Sequence, residues 1–244
     1  MWWQDARGVL ALVLNGVKIY KTLDPETIQL EVENSLKRLQ TDYIDLYQTH
    51  WPVPNDLGYQ ISDTMQCLLK LKESGKIRAI GASNVDVPLI QQYQAAGVLD
   101  VVQPKYSMLS RSAETTLLPY CIQQSISILA YSPMEHGLLT GKIGMDYVPT
   151  EESARNHNPW FSPKNRQRVL DMLNGWADLT EKYNCSISQL VIAWTIAQPG
   201  ITFALCGART ETHAIHNAGA LKINISGPDL TRMHNDAIAI GKPK

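Results

Sequence analysis

The chain has 244 residues, of which 44% are hydrophobic and 18% charged, the balance of an ordinary folded globular protein. Its formal net charge of −1 gives no electrostatic basis for binding nucleic acid or an acidic membrane surface. Four cysteines are scattered without a C-x-x-C spacing, which indicates buried free thiols and no metal site: Cys67, Cys121, Cys185 and Cys206.

The first 21 residues predict neither a secretion signal nor a membrane span. Asp5 and Arg7 follow a short apolar start, and Asn15-Gly16 interrupts the one apolar run. We therefore expect a cytoplasmic protein. Its length suits a single domain over residues 1–244.

Short apolar runs then alternate with helical patterns, which is typical of repeated βα units around a parallel sheet. Helices are predicted after Asp24-Pro25, over 62–74, between Asp86 and Gly97, from Ser112, over 164–183, from the capping box at 186–189, from about Thr210 and over 228–240. Five strands are predicted: Tyr43–Thr49, Ile77–Ala82, Val101–Gln103, Ile126–Tyr131 and Ile201–Cys206.

Five strands fit either part of an eight-stranded barrel or an open doubly wound sheet, and periodicity does not separate the two. No G-x-G-x-x-G follows a predicted strand, which disfavours the open dinucleotide-binding sheet. The stretch 140–163 is rich in Gly, Pro and Asn, and an irregular segment of this length is usually functional or disordered.

Polar or small residues follow the end of each predicted strand, and in a parallel barrel these ends share the rim on which sites are built. His50 could orient or protonate a carbonyl oxygen. Trp51 could form an apolar wall of a substrate pocket. A strand terminator bonded to backbone is the structural alternative for either residue.

Other strand-end residues could bind a nucleotide. Ser83, Asn84 and Gln103 offer hydroxyl and amide groups for a carboxamide, and Tyr131 could stack on a flat ring. Small residues and a guanidinium at a helix start, in Gly207-Ala208-Arg209, favour a phosphate. Turn capping, a core tyrosine and a helix-start salt bridge are the structural alternatives.

Five segments in chain order strongly resemble the aldo-keto reductase family: SLKRLQTDYIDLYQTHWP, GKIRAIGASNV, VVQPKYSML, AYSPMEHGLLTGK and IAWTIAQPGITFALCGART. The resemblance runs through essentially the whole chain. It implies a (β/α)8 TIM barrel that binds NADPH and reduces aldehyde or ketone carbonyls to alcohols by hydride transfer. The implied partner is therefore a small-molecule aldehyde or ketone.

The resemblance also assigns roles to residues. His50 matches the family's catalytic histidine, Ser83, Asn84 and Gln103 match the binders of the nicotinamide carboxamide, and Tyr131 matches the aromatic residue beneath the ring. The stretch along ribose and pyrophosphate corresponds to Ser132, Met134, Gly137, Leu138 and Lys142. The adenosine end corresponds to Gly207, Ala208, Arg209 and Asn217, with Arg209 favouring NADP over NAD.

The last cofactor segment departs from the family. Where the family commonly has Q-x-x-E-N, this chain has His213-Ala214-Ile215-His216-Asn217, so that Asn217 alone matches. Two imidazoles in place of an amide and an acid put adenine recognition in question and could make cofactor affinity depend on pH.

The resemblance places the family's catalytic aspartate, tyrosine and lysine ahead of the first residue of this chain. We therefore expect only about the last five βα units of an eight-unit barrel, with unpaired sheet edges that could promote self-association. The leading hypothesis is an aldo-keto reductase. The alternatives are a catalytically incompetent NADPH-binding or regulatory fragment, and the product of a truncated gene without independent function.

Overall fold

The computed structural model describes residues 2–4, 10–14, 17–20, 22–52 and 60–244. They fall into two compact units: Met1–Pro104 with Tyr120–Ile128, and Lys105–Pro119 with Leu129–Lys244. The single domain expected from the length stays a prediction. None of the helices in the described ranges is long and apolar enough to cross a membrane.

The first unit begins with a small antiparallel sheet of three strands in the order β1-β2-β3, formed by Trp2–Gln4, Leu10–Leu14 and Val17–Tyr20. Leu14 pairs with Val17, so Asn15-Gly16 lies between two paired strands. Asn-Gly between apolar strands is the strongest short hairpin signal. The count of five strands was wrong because these three strands were missed and Asn15-Gly16 was read as a mere interruption.

The rest of the first unit consists of alternating helices and parallel strands: α1 Pro25–Leu39, β4 Ile44–Thr49, α2 Ile61–Glu73, β5 Ile77–Ser83, α3 Val87–Ala96 and β6 Val101–Gln103. Local capping fixes two helix starts. The side chain of Asp24 accepts from Thr27 N at 2.9 Å, and that of Asp86 accepts from Leu89 N at 3.0 Å. These elements confirm the predicted βα units.

Pairing in the sheet follows chain order, β4-β5-β6-β7-β8, where β7 is Ser127–Tyr131 and β8 is Ile201–Leu205. In the first unit Thr49 pairs with Ala82 and Ser83 with Gln103, all in parallel. This register brings the carboxyl ends of three strands side by side. The short helix α4 (Leu117–Gln123) and β7 (Ser127–Tyr131) each have residues in both units.

The second unit is mainly helical, with α5 Pro163–Asn174, α6 Ala177–Lys182, α7 Ile187–Ile196, β8 Ile201–Leu205, α8 Glu211–Ala218 and α9 Gly227–Ile240. The helical structure predicted over 164–183 is confirmed. Two helices occur there, separated by Gly175 and the buried Trp176, whose indole N–H donates to Asp236 at 2.8 Å. The predicted capping box at Ser186 and Gln189 is confirmed.

The stretch 140–163 is irregular, as predicted, apart from the end of one 3-10 turn over Glu135–Thr140 and a second over Pro159–Phe161. Trp160 and Phe161 are buried, so this segment contributes to the core of its unit. The helix expected from Ser112 is instead a 3-10 turn, Ser112–Glu114, followed by α4.

Candidate active site

Four of the predicted site residues in the first unit form one hydrogen-bonded cluster after the strand ends. The side-chain amide of Asn84 donates to the His50 carbonyl oxygen at 2.9 Å and to Ser83 Oγ at 3.2 Å. Ser83 Oγ in turn donates to the Gln103 carbonyl oxygen at 2.9 Å. The cluster therefore fixes the ends of β4, β5 and β6 relative to one another.

Asn84 takes a left-handed backbone conformation, with φ of +59°. Asparagine is one of the few non-glycine residues that visit this region routinely, because its short side chain can bond locally. Its own N–H donates to the Gln103 carbonyl oxygen at 3.2 Å. The left-handed turn thus redirects the chain directly after β5 and keeps the Asn84 amide next to His50.

His50 and Trp51 follow β4 at the protein surface. The histidine is exposed, Trp51 is 36% exposed, and their ring centroids lie 6.1 Å apart. An exposed imidazole can hydrogen-bond a carbonyl oxygen, and the indole offers an apolar surface beside it. The pair is therefore suited to a small carbonyl substrate.

The Gln103 side chain is half-exposed, and no described residue of the chain hydrogen-bonds to its amide. An unused amide beside the Ser83 and Asn84 cluster can both donate to and accept from a ligand carboxamide. These residues therefore fit the amide end of a nicotinamide.

Tyr131 ends β7 in the second unit and is half-buried. Its carbonyl oxygen accepts from Tyr106 N at 3.2 Å. Burial, with a smaller effect of the Glu135 carboxylate, raises the pKa of the Tyr131 hydroxyl above its ordinary value. A neutral aromatic ring at this place suits stacking on a flat heterocycle.

A tight turn over residues 132–138 carries most of the predicted pyrophosphate stretch. Ser132, His136 and Gly137 are left-handed, with φ of +56°, +53° and +93°. Leu138 is fully buried, so its side chain belongs to the core and only its backbone is available for a ligand. Met134 is half-exposed, and Lys142 is exposed just beyond the turn.

Sequence reasoning missed an ion pair between a buried carboxylate in this turn, Glu135, and the partly exposed Lys105. The Glu135 side chain is fully buried and accepts from Lys105 Nζ at 2.6 Å, Ser107 Oγ at 2.9 Å and Asn158 Nδ2 at 3.0 Å. Lys105 and Glu135 both lie within segments that resemble the family. No local pattern, however, pairs two residues so far apart in the chain.

The predicted phosphate loop precedes α8. Gly207, Ala208 and Arg209 are exposed, and a Cβ built on Gly207 would meet no atom within 4 Å. Asn217 Nδ2 donates to the Gly207 carbonyl oxygen at 3.4 Å, and Thr210 caps α8 by accepting from His213 N at 3.2 Å. Open space, an exposed guanidinium and a helix N-terminus fit a phosphate group.

The two unusual histidines differ in their surroundings. His216 Nε2 lies 2.9 Å from Ser186 Oγ and 3.1 Å from Ser188 Oγ, and the His216 carbonyl oxygen accepts from Gln189 at 2.9 Å. The His216 ring therefore joins α8 to the start of α7. His213 is exposed and available to a ligand.

The cysteines are all free, as expected, but not all buried. Cys67 and Cys121 are buried, whereas Cys185 and Cys206 are partly exposed. Cys206 directly precedes the phosphate loop.

Parallel βα units with polar residues clustered after the strands are the arrangement in which many α/β enzymes build their sites. The chain belongs to the aldo/keto reductase family, whose model matches residues 16–235. The resemblance inferred from the sequence is confirmed.

Among curated proteins, the chain is 43% identical over 236 residues to the NADH-specific methylglyoxal reductase of Escherichia coli (strain K12), covering 97% of this chain and 72% of that protein. It is 39% identical over 200 residues to the aldo-keto reductase YhdN of Bacillus subtilis (strain 168), covering 82% and 60% respectively. The chain thus spans part of the length of these relatives.

Two solved structures are similar at 28% identity. The glycerol dehydrogenase AKR11B4 from Gluconobacter oxydans has a TM-score of 0.86, covering 97% of this chain and 72% of that one. An aldo-keto reductase from Klebsiella pneumoniae in complex with NADPH has a TM-score of 0.65, covering 89% and 66%. The α/β fold with its five-stranded sheet is confirmed, and an eight-unit barrel of which five units are present stays a prediction.

Proposed function

We propose that this chain takes part in the NADPH-dependent reduction of aldehyde or ketone carbonyls to alcohols. The observation that carries the proposal is the cluster in which Asn84 joins Ser83 to the His50 backbone, within a chain of the aldo/keto reductase family. Bound NADPH would supply the hydride.

The residues of the first unit would hold the reacting groups. The His50 imidazole would donate a hydrogen bond to the substrate carbonyl oxygen, which polarises the carbonyl and sets its orientation. Trp51 would exclude water from one side of the substrate. Ser83, Asn84 and Gln103 would bind the nicotinamide carboxamide and so determine which face of the ring is presented.

The second unit would hold the remainder of the cofactor. Tyr131 would stack on the nicotinamide ring, the turn at 132–138 with Lys142 would follow the ribose and pyrophosphate, and Asn217 would brace the loop at Gly207. Arg209 would pair with the 2′-phosphate, which is the basis for preferring NADPH. NADH is the second candidate cofactor, because the E. coli relative is named as NADH-specific. The unusual His213 and His216 in the adenine segment also favour testing it.

The substrate class is a small aldehyde or ketone. Methylglyoxal is the first substrate to test, because the E. coli relative is named for its reduction. We further infer a cytoplasmic location, supported by four free cysteines, since an oxidising compartment favours disulfides.

Fluorescence titration with NADPH and NADH, followed by turnover of methylglyoxal and benzaldehyde, tests the proposal. We expect tighter binding of NADPH and a turnover that falls in His50→Gln with little change in NADPH affinity. Binding without turnover would support the alternative of a noncatalytic NADPH-binding or regulatory fragment. Failure to bind either dinucleotide would overturn both hypotheses.

A further inference from the structure

Glu135 is fully buried and has hydrogen-bond donors on both carboxylate oxygens. Lys105 Nζ at 2.6 Å and Asn158 Nδ2 at 3.0 Å donate to Oε1, while Ser107 Oγ at 2.9 Å donates to Oε2. A buried carboxylate is stable only when it is paired and hydrogen-bonded in this way. The donors therefore determine where this side chain lies.

The backbone that carries Glu135 is in an uncommon conformation. Glu135, His136 and Gly137 are consecutive left-handed residues, with φ of +43°, +53° and +93°. Non-glycine residues persist in this region only when the surrounding structure holds them there. Glu135 and His136 are therefore held in this conformation by their contacts, whereas Gly137 adopts it readily by itself.

Those contacts come from two different segments. Lys105 and Ser107 belong to the chain after β6, whereas Asn158 belongs to the irregular stretch 140–163. From the same stretch, Arg155 Nε donates to the His136 carbonyl oxygen at 3.0 Å. The Glu135 carboxylate therefore accepts hydrogen bonds from both segments.

We propose that Glu135 is a positioning residue for the dinucleotide, fixing the turn at 132–138 in the conformation that receives the pyrophosphate. This inference rests on the proposed function. Removing the charge leaves the Lys105 ammonium without its partner and releases the left-handed backbone. The pyrophosphate contact should weaken while the Arg209 contact with the adenosine phosphate is unchanged.

The test compares three probes on the 244-residue chain and its Glu135→Gln variant by calorimetric titration: NADPH, ADP-ribose and adenosine 2′-monophosphate. ADP-ribose contains the pyrophosphate, and adenosine 2′-monophosphate does not. We expect the variant to bind NADPH and ADP-ribose about tenfold or more weakly, the usual consequence of losing one hydrogen bond from the turn to the charged pyrophosphate. Binding of adenosine 2′-monophosphate should be unchanged.

Glu114→Gln is the control, since Glu114 is a second carboxylate in an ion pair of the second unit, with Arg111 at 2.8 Å, although it is only partly buried. It should leave all three affinities unchanged. Asn158→Ala keeps the ion pair of Glu135 with Lys105 but removes one hydrogen-bond donor to the carboxylate. It provides the same comparison if Glu135→Gln does not fold. We expect a smaller loss of affinity for NADPH and ADP-ribose, and again no change for adenosine 2′-monophosphate.

The outcomes are separable. If the wild-type chain binds neither NADPH nor ADP-ribose, the proposed function is overturned together with this inference. If the wild-type chain binds both probes and the variant binds them equally well, only the positioning role is overturned. An equal loss for all three probes, accompanied by a lower unfolding temperature, would also overturn it, because that pattern reports general destabilisation.

Discussion

The side-chain amide of Asn84 donates to the main-chain carbonyl oxygen of His50 at 2.9 Å, so the left-handed turn after β5 holds the backbone at the end of β4. This hydrogen bond to the His50 backbone positions the His50 imidazole, the candidate catalytic group. The imidazole itself is left available to a substrate.

Two substitutions of Asn84 separate the contribution of its side-chain hydrogen bonds from that of its left-handed backbone. Asn84→Gly keeps access to the left-handed region and should cost about 1–3 kcal/mol of unfolding free energy, the value of the two net hydrogen bonds to His50 and Ser83. Asn84→Ala should cost about 1–2 kcal/mol more, because a Cβ is unfavourable at this φ. Denaturant unfolding measures both values, and equal losses for the two variants would contradict the claim of a backbone constraint.

Arg209 should distinguish the two dinucleotides. Arg209→Ala is expected to weaken NADPH binding by about 1–3 kcal/mol, as for loss of a charge-assisted hydrogen bond, and to leave NADH binding unchanged. Arg209→Lys keeps the charge but loses the bidentate geometry, so its effect should be intermediate. Fluorescence titration provides the constants. Equal wild-type affinities for NADPH and NADH would show that Arg209 does not bind the 2′-phosphate.

Glu114 should contribute stability that depends on pH. Burial by itself would raise the pKa of Glu114, but hydrogen bonds from Arg111 and Tyr106 outweigh it and hold the pKa below its ordinary value. Stability from a lowered carboxyl pKa is present above the unfolded value of about 4.3 and is lost as pH falls through the folded value.

Glu114→Gln should therefore destabilise the chain at pH 7 by about 1–3 kcal/mol and reduce the loss of stability below about pH 4. Urea unfolding from pH 3 to pH 7 measures this dependence. Parallel curves for wild type and variant would show that the pKa of Glu114 is the same in the folded and unfolded states.

Cys206 should react slowly despite being partly exposed. Burial raises the pKa of its thiol to about 11, compared with about 8.5 for a free cysteine. Since the thiolate is the reactive form, alkylation by iodoacetamide at pH 8 should be slower than in the unfolded chain by on the order of a hundredfold. Peptide mapping with and without denaturant follows this site, and similar rates in both conditions would refute the raised pKa.

Phe203 should promote self-association. It lies on β8, and its side chain is 60% exposed. A large apolar side chain in contact with water favours association with a second copy. Phe203→Glu should shift light scattering toward monomer. Leu221→Glu is the control: Leu221 is 76% exposed in a 3-10 turn, and its substitution should leave the light scattering unchanged. A monomeric wild-type chain would contradict the expectation.

The sequence by itself determined most helix starts, all five strands of the parallel sheet to within one residue, and the family. Asp24, Asp86 and Ser186 cap helices by bonding residues three positions away, so the signal is complete within a few residues. Strand-end residues such as Ser83 and Gln103 were also predictable, because parallel strands bring their carboxyl ends to one edge whatever the packing around them. The N-terminal strands were missed although Asn15-Gly16 is a local signal.

Only the tertiary structure decided which distant side chains meet. Glu135 and Lys105 are 30 residues apart, as are His216 and Ser186, and no periodic pattern relates either pair. A buried carboxylate takes its partners from whichever segments pack around it, and that packing depends on the whole unit. The surroundings of His216 could not be predicted for the same reason: its ring contacts two serines at the start of α7, whereas the sequence showed only an unusual imidazole in the adenine segment.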